Sequence, residues 1–411
     1  MLKNYFKIAI AVLRRKKFFT FISLFGISFT LAILIVLAAF IDQVIGNDYP
    51  DRKRDRSLYI TALEQRMDKP GYHTGSGGPL SFYFLNHFAG GLKTPVKVAI
   101  ASKMSATNAY VNNKKIKVYL KYTNAAWWEV LENEFLEGKP YTQQQIDNAD
   151  PVAVITEDAK RAYFGDEPLV VGKYIEADNT RFRVIGVIKN ISLLSGMMYG
   201  DLYVPYTLSK TDYKYKYYNG DYQGILLAGS KAEVPKMKEE YEQMVARLPV
   251  ESKDFDKVYS HGDSYFASLM NFGHEDTPGM TYMLTAIGIF VALILLLPTL
   301  NLVNINITRI MERSSEIGVR KAFGASSATL VYQFLVENCI LTLLGGFIGG
   351  ILSVVVMKIF NSAHLIANME LSLNFTVLFV ALLTCFVFGL LSGVYPAWRM
   401  SRLDVVTALK A

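Results

Sequence analysis

The sequence predicts a membrane protein in which four transmembrane α-helices carry a large α+β domain with two subdomains outside the membrane. Three observations predict it. Four long runs are apolar and almost free of charge. A nearly neutral segment, residues 42–279, separates the first run from the second. The cations outside that segment fall almost entirely on one side of the expected membrane. Hydrophobic residues make up 51% of the 411 and charged residues 19%, against about 25% charged in an ordinary soluble domain. This composition excludes intrinsic disorder, which needs few apolar residues and high charge. Cys339 and Cys385 both fall inside apolar runs, which excludes a disulfide scaffold.

The first seventeen residues carry an apolar stripe of Leu2, Tyr5, Phe6, Ala9, Ile10 and Leu13, with Lys3, Lys7 and Arg14 elsewhere. That pattern predicts a helix lying in the membrane interface. Residues 18–41 are uncharged and exceed the ~20 residues that cross the hydrocarbon as a helix. The run is too long for the apolar core of a signal peptide, so an uncleaved anchor is expected. Residues 280–306 form the second span. The third lies within 328–358 and is most apolar from Asn338 to Met357; the fourth is 373–398. None alternates with period two, which argues for helices over barrel strands.

The net charge of +7 divides unevenly. Residues 42–279 hold 29 Lys/Arg and 31 Asp/Glu; the rest holds 14 and 5. Evenly spread basic charge would suggest nucleic acid; basic apolar flanks around a neutral centre suggest membrane topology. Of those 14 cations, 13 precede the first span, lie between the second and third, or follow the fourth. Only Lys358 adjoins the short loop 359–372. By the positive-inside bias both termini and residues 307–327 are cytoplasmic, with 399–411 as a cytoplasmic tail, and 42–279 is outside.

Within 42–279, Leu58–Leu63, Pro151–Thr156 and Arg181–Ile188 read as strands. Glu157–Phe164 reads as a short helix stopped by Gly165, and Ala232–Leu248 as a surface helix. Asn219-Gly220 predicts a hairpin turn into Gly224–Ala228, with the Tyr/Lys run Tyr213–Tyr218 as its blunted edge. Residues 123–210 are expected as an inserted subdomain. The loop Ile191–Tyr199 offers Leu193, Leu194, Met197 and Met198 either as an exposed partner or substrate patch or as packing between subdomains. Gly165 to Lys173 fails as a phosphate loop, because six residues separate its glycines and Tyr174 stands where Ser/Thr is required. The five histidines are scattered without metal-ligand spacing. No nucleophile–base set and no carboxylate pair stands out, so no catalytic residue, cofactor site or metal site is expected.

Residues 309–326 read as a short capped helix. Ser314 can accept from the first free N–H groups, and Glu316 sits in the favourable first turn. Glu316 and Arg320 form an i,i+4 pair, Arg320 and Lys321 lie in the last turn, and Gly324 suits the C′ position. A solvated connector and a docking helix are both open from the residues alone. Gly345, Gly346, Gly349, Gly350, Gly389 and Gly393 form small-xxx-small patterns that let helices approach closely, within one chain or between two. Glu337 is expected at the membrane interface, with an internal relay as the other reading.

The segment Glu312-Arg313-Ser-Ser-Glu316-Ile317-Gly318-Val319-Arg320-Lys321-Ala-Phe-Gly324 closely resembles the motif after the second span of MacB/FtsX-type ABC transporter permeases. The tail Gly393-Val-Tyr-Pro-Ala-Trp-Arg399 through Leu409 resembles that family's C-terminal signature. Trp128-Glu-Val, Glu137-Gly138-Lys139, PVAVIT, Tyr163-Phe164-Gly165 and RFRVIGVI resemble its extracytoplasmic periplasmic core domain. The resemblance implies a multi-pass permease of the bacterial inner membrane that pairs with a second copy, as a homodimer or paralogous heterodimer. It implies a cytoplasmic ATPase dimer bound at the 312–324 segment, with movement passed to the outside domain by mechanotransmission. ATP and magnesium would be bound by that ATPase. Seventeen residues before the first span and no glycine-lysine phosphate cradle lead us to expect a separate ATPase subunit and no enzyme activity in this chain. Export of a peptide, antibiotic or lipid-like substrate, with a periplasmic adaptor as a further partner, is the expected function. Regulation of a cell-wall hydrolase and lipoprotein release are the rivals, and nucleic acid is not expected as a partner.

Overall fold

The computed structural model describes residues 15, 17–46, 49–67, 74–111, 114–211, 213–271, 279–312, 319, 323, 326–366, 368–376, 378–384, 386, 387 and 390. The expected interfacial helix over 1–17 and the tail 399–411 thus lie almost wholly outside the described residues. The chain divides into two compact units: Met1–Gln43 with Leu284–Leu365 and Glu370–Ala411, and Val44–Met283 with Ile366–Met369.

The chain leaves helix α1 (Lys17–Ile45) and enters a ten-stranded mixed sheet. Its strands are β1 (Ser57–Ile60), β4 (Pro95–Ser102), β5 (Ser105–Val111), β6 (Lys114–Thr123), β7 (Phe135–Gly138), β8 (Val152–Thr156), β9 (Tyr174–Ala177), β10 (Thr180–Ile188), β11 (Leu202–Pro205) and β12 (Tyr222–Ala228). They run in the order β1-β12-β4-β6-β11-β8-β10-β9-β5, with β7 on β10. A second sheet holds β2 (Leu63–Met67), β3 (Thr74–Gly78) and β13 (Lys257–Ser260). The expected strand Leu58–Leu63 is therefore divided: its first half ends β1, and Leu63 opens β2 in the other sheet.

The apolar runs in the sequence are explained by burial on both faces. Along β8, Val152 and Val154 enter one core with Trp127, Ile188 and Tyr203, while Ala153 and Ile155 enter another with Phe182, Val184 and Leu202. A strand with two cores has no polar face to show, so it reads as an unbroken apolar run. Strand β12 does the same between Ile225 and Leu226. Strands β6, β11, β8, β10, β9 and β5 close on themselves, because β5 pairs along β6 and meets β9 at Ala109–Ala177. Residues 123–210 supply four of those six strands; β5 and β6, which precede Asn124, complete the ring.

Between the strands sit α2 (Phe82–His87), α3 (Ala126–Val130), α4 (Gln143–Asp147), α5 (Glu157–Phe164), α6 (Val234–Val245) and α7 (Tyr265–Asn271). Thr156 caps α5 by accepting from the Ala159 N–H at 3.3 Å, and Gly165 ends it at φ 68°. Helix α6 buries Met237, Tyr241 and Val245 on one face, as its periodicity predicts.

The Glu137-Gly138 pair has a structural cause. A Cβ at Gly138 (φ 66°) would stand 2.0 Å from the Ile185 carbonyl oxygen, so only glycine fits. The Glu137 carboxylate accepts from the Val170 N–H at 2.9 Å and from Lys160 Nζ, and Lys160 also donates to the Pro168 carbonyl at 3.0 Å. One side chain thus ties β7 to α5 and to the turn after it.

Two expectations near residue 220 are corrected. Asn219-Gly220 makes no hairpin, since β12 pairs with β1 and β4, both earlier in the chain. Neither residue takes the left-handed conformation of a type I′ turn. Asn219 Nδ2 instead donates to the Leu63 carbonyl at 2.9 Å, and a Cβ at Gly220 would stand 2.8 Å from Ser81 Cα. Close approach to the 79–81 segment is what asks for this pair. Nor is Tyr213–Tyr218 a strand edge: it is turn and loop, with Tyr218 buried and Tyr215 and Tyr217 exposed.

The other unit contains α1, α8 (Gly279–Glu312), α9 (Ser327–Ser362) and helical residues between Phe375 and Leu390. Thr20–Gln43 and Leu335–Ser362 are long and apolar enough to cross a membrane, and Thr281–Leu293 is a shorter apolar stretch of α8. Ile27 packs on Ile340 and Leu341, and Glu337, one turn earlier, is buried. The glycines of α9 make this packing possible. A Cβ at Gly345 would stand 2.6 Å from Ile27 Cγ2, and one at Gly349 2.8 Å from the Ser28 carbonyl oxygen. At Gly346 it would be 3.1 Å from Leu382 Cδ2, and at Gly350 it meets nothing within 4 Å. Gly345, Gly346 and Gly349 thus serve packing within one chain; Gly389 and Gly393 lie outside the described residues.

Two predictions follow from these contacts. The Glu137 carboxyl is held below its usual range: burial pushes it up, but the hydrogen bonds from Lys160 and Val170 outweigh that. A depressed folded value gives stability that is complete above the unfolded value and lost as pH falls through the folded one. Glu137→Gln should therefore cost about 1–3 kcal/mol at pH 7. That difference should shrink as pH drops below the ordinary glutamate range, read as the melting of Trp127 and Trp128 fluorescence. In the helices, Gly349→Leu should lower the melting temperature and membrane abundance sharply, while Gly350→Leu leaves both near wild type; equal effects would contradict the α1–α9 contact.

Candidate functional site

Helices α8 and α9 bracket the segment that the sequence singles out. Glu312 ends α8, while Arg313, Ser314, Glu316, Ile317, Gly318, Arg320, Lys321 and Gly324 lie outside the described residues. Val319 and Phe323 are described. The Phe323 N–H donates to the Val319 carbonyl at 3.0 Å, one helical turn, and the two side chains are 44% and 89% exposed. Ser326 then caps α9, accepting from the Thr329 N–H at 3.2 Å. An apolar pair four residues apart on an exposed turn is the spacing with which a helix meets a groove.

The loop 191–199 is built differently from an exposed patch. Ser192 Oγ accepts from the Leu194 N–H at 3.3 Å and starts a 3-10 turn over Leu193–Ser195. Leu193 is exposed and Leu194 half-buried, but Met197 and Met198 are buried in the core with Trp127 and Tyr203. Of the two readings open for this loop, packing is the one that describes the two methionines: the loop turns them inward. Its backbone carbonyls are used as acceptors, Met198 from the Tyr203 hydroxyl at 2.8 Å and Met197 from Lys121 Nζ at 2.7 Å.

Lys121 was not singled out by its sequence context. Lys115, Lys117, Tyr119 and Lys121 share one face of β6, which reads as solvated. Lys115 and Lys117 are exposed, but by Lys121 that face is covered and the side chain is fully buried. Nζ donates to the Ser102 and Met197 carbonyls at 3.0 and 2.7 Å. Burial lowers its pKa to about 7. It borders a cavity of about 550 Å³ between the two sheets, walled by Leu63, Pro79, Met104, Met197 and Leu269 among others.

A second buried charge lies where the chain enters the domain. Asp51 is fully buried and pairs with Arg54 at 3.1 Å, and it accepts from the Tyr59 hydroxyl. Arg54 also donates to the Gly46 carbonyl at 2.5 Å, and its guanidinium lies 4.0 Å from the ring centroid of Tyr265. Burial raises the Asp51 carboxyl, against the lowering by Tyr59 and Arg54. Tyr265 belongs to α7, the last helix before α8, so this cluster joins the chain's way in to its way out. Among the described residues no group of His, Cys, Asp and Glu could hold a metal ion.

Comparison with known proteins matches both halves of the chain. The model of the MacB-like periplasmic core domain matches residues 20–244, and that of the FtsX-like permease C-terminal region matches 288–405. The uncharacterized ABC transporter permease YknZ of Bacillus subtilis is 23% identical over 323 residues, covering 77% of this chain and 75% of that protein. The pyoverdine export ATP-binding/permease protein PvdT of Pseudomonas aeruginosa is 27% identical over 293 residues, 71% of this chain and 42% of PvdT. The macrolide export ATP-binding/permease protein MacB of Mannheimia succiniciproducens is 27% identical over 311 residues, 75% of this chain and 46% of MacB. The chain thus spans three quarters of one relative and less than half of the two ATP-binding/permease proteins. Since the first model alone matches more than half of the chain and the second matches most of the helices after the sheet domain, the chain belongs to the MacB/FtsX-type ABC transporter permeases.

Proposed function

We propose that this chain is the permease subunit of an ABC-type complex and passes the movement of a separate cytoplasmic ATPase dimer to its extracytoplasmic domain. In this reading four helices cross the bacterial inner membrane, both termini are cytoplasmic, and a second permease copy completes the assembly. The observation that carries it is the FtsX-like match over 288–405, which contains the 312–324 segment together with the helices joined to it. The exposed pair Val319 and Phe323 supports a docked role for that segment. Transmission is supported by the Asp51–Arg54–Tyr265 cluster, because one buried guanidinium reaches both Gly46, just past α1, and Tyr265 of α7. Export of a peptide, antibiotic or lipid-like substrate is the function we assign. It rests on the names of the relatives PvdT and MacB, which give pyoverdine and macrolide export.

Topology has its own support. Ile366–Met369, from the loop between the third and fourth spans, belongs to the same compact unit as Val44–Met283. There Asn368 Nδ2 donates to Asp158 at 2.9 Å. A reporter fused after Ala411 should read cytoplasmic and one within 42–279 external; an external reporter at Ala411 sinks the four-span reading.

Coupling is tested at the segment itself. Glu316→Lys removes a helical i,i+4 pair worth ~0.5 kcal/mol or less, too little to unfold the chain. At a docked surface the reversed charge would face a complementary site, where mispairing costs several kcal/mol. Membrane abundance should stay near normal while ATPase pull-down and functional complementation fall at least tenfold. Gly318→Pro should do more, since it breaks the turn. Full partner binding and function in both variants would reduce the segment to a connector.

A further inference from the structure

The cavity beside Lys121 has features that the coupling reading does not use. At about 550 Å³ it falls in the range of small-molecule sites, roughly 300–1,000 Å³. Its wall is largely apolar, with Leu63, Pro79, Met104, Met197, Tyr265 and Leu269 contributed by both sheets, the 191–199 loop and α7. The polar side chains among this lining are few: Lys121, Gln223, Ser268, Thr61, Lys103 and Glu64, with the Tyr265 hydroxyl, besides backbone. Glu64 is already neutralised by Arg66 at 2.7 Å. Lys103 is exposed, so the mouth carries a second cation.

Lys121 is the unusual group. Of the three N–H donors of an ammonium, two go to main-chain carbonyls, and the Trp127 ring lies 5.8 Å from Nζ. Among the described residues no carboxylate stands within ion-pair distance of it. A buried charge without a counter-ion is costly, and the lowered pKa of about 7 expresses that cost. A hydrophobic core would be served as well by methionine at this position. An ammonium at the wall of an apolar cavity has a use when a ligand supplies the missing anion.

We infer that this cavity is a binding site for a small amphipathic monocarboxylate, whose carboxylate pairs with Lys121 while its apolar body lies against Met104, Met197 and Leu269. A single buried ammonium, with the Gln223 side chain elsewhere on the lining, suits a monoanion, whereas a phosphate dianion would call for more donors. The site needs no bound ATPase, so it stands apart from the coupling reading.

The test uses the full chain in lipid nanodiscs and dansylglycine, a fluorescent amphipathic carboxylate, beside its neutral amide. Dansylglycine should bind saturably, one per chain, above its partition into empty nanodiscs, and at least tenfold tighter than the amide. Lys121→Met keeps the length and apolar stem of the side chain. It should weaken dansylglycine at least tenfold and leave the amide unchanged. Met104→Trp, at an exposed position on the rim, should weaken both probes by narrowing the mouth. The carboxylate-against-amide comparison on the unaltered chain decides the matter even if Lys121→Met folds poorly. Absence of saturable binding, or equal affinity for the two probes, overturns the inference. Equal dansylglycine affinity in folded Lys121→Met overturns it as well.

Discussion

The sheet domain depends on how Asp51 is held. A fully buried carboxylate is costly unless it is paired, and here Arg54 pairs with Asp51 Oδ2 and the Tyr59 hydroxyl donates to the same oxygen, both from within eight residues of sequence. Removing one partner of such a pair costs about 3–5 kcal/mol, because the other charge stays buried. The same guanidinium reaches back to Gly46, just past α1, and lies over Tyr265 of α7. The first and last parts of the domain are therefore fastened to one ion. Under the proposed function this matters mechanically. A pull on either covalent link is resisted by a group that cannot be exposed or separated without a large penalty, so displacement is passed into the sheets rather than absorbed by fraying ends.

Beyond that knot, stiffness comes from the closed ring of β6, β11, β8, β10, β9 and β5 and from the shared sheet that continues it to β4, β12 and β1. Only part of it was legible in the sequence: β8, β10, β12 and the first half of Leu58–Leu63 read as strands, while β4, β5, β6, β9 and β11 did not. PVAVIT and RFRVIGVI could be read because burial on both faces leaves an uninterrupted apolar run, and Glu157–Phe164 because Thr156 and Gly165 punctuate its two ends. Glu137-Gly138-Lys139 was legible as a motif before its cause was. The cause is a positive φ and a carbonyl too close to admit a side chain.

The unreadable features share a physical origin: they depend on which distant segment covers a residue. Asn219-Gly220 carries the local signature of a hairpin, but its use is set by the 79–81 segment about 140 residues earlier. Alternation along β6 places Lys121 on the same face as Lys115 and Lys117. It cannot say that the 191–199 loop and the second sheet close over one end of that face. Met197 and Met198 stay undecided in the sequence for the same reason, since a Leu/Met loop looks identical whether it meets solvent or a core. The cavity and its cation, the least legible part of the molecule, are made wholly of such long-range coverage.

Exposed apolar residues separate the two units in a way that bears on partners. In the helices Phe25, Phe29, Phe347, Ile351, Val355 and Phe379 all face outward. In water that surface would mark an interface; around membrane-spanning helices lipid tails cover it without any protein. In the sheet domain the exposed large apolar residues, such as Val96, Leu136, Leu169 and Leu193, are scattered along the chain, as is ordinary for a soluble surface. Phe323 belongs to neither class. It stands 89% exposed in the short segment between α8 and α9, and its N–H closes one helical turn onto Val319. Burying such a side chain is worth roughly 1.5–3 kcal/mol, so under the proposed function it is, of the exposed aromatics, the one for which the ATPase partner is the natural cover.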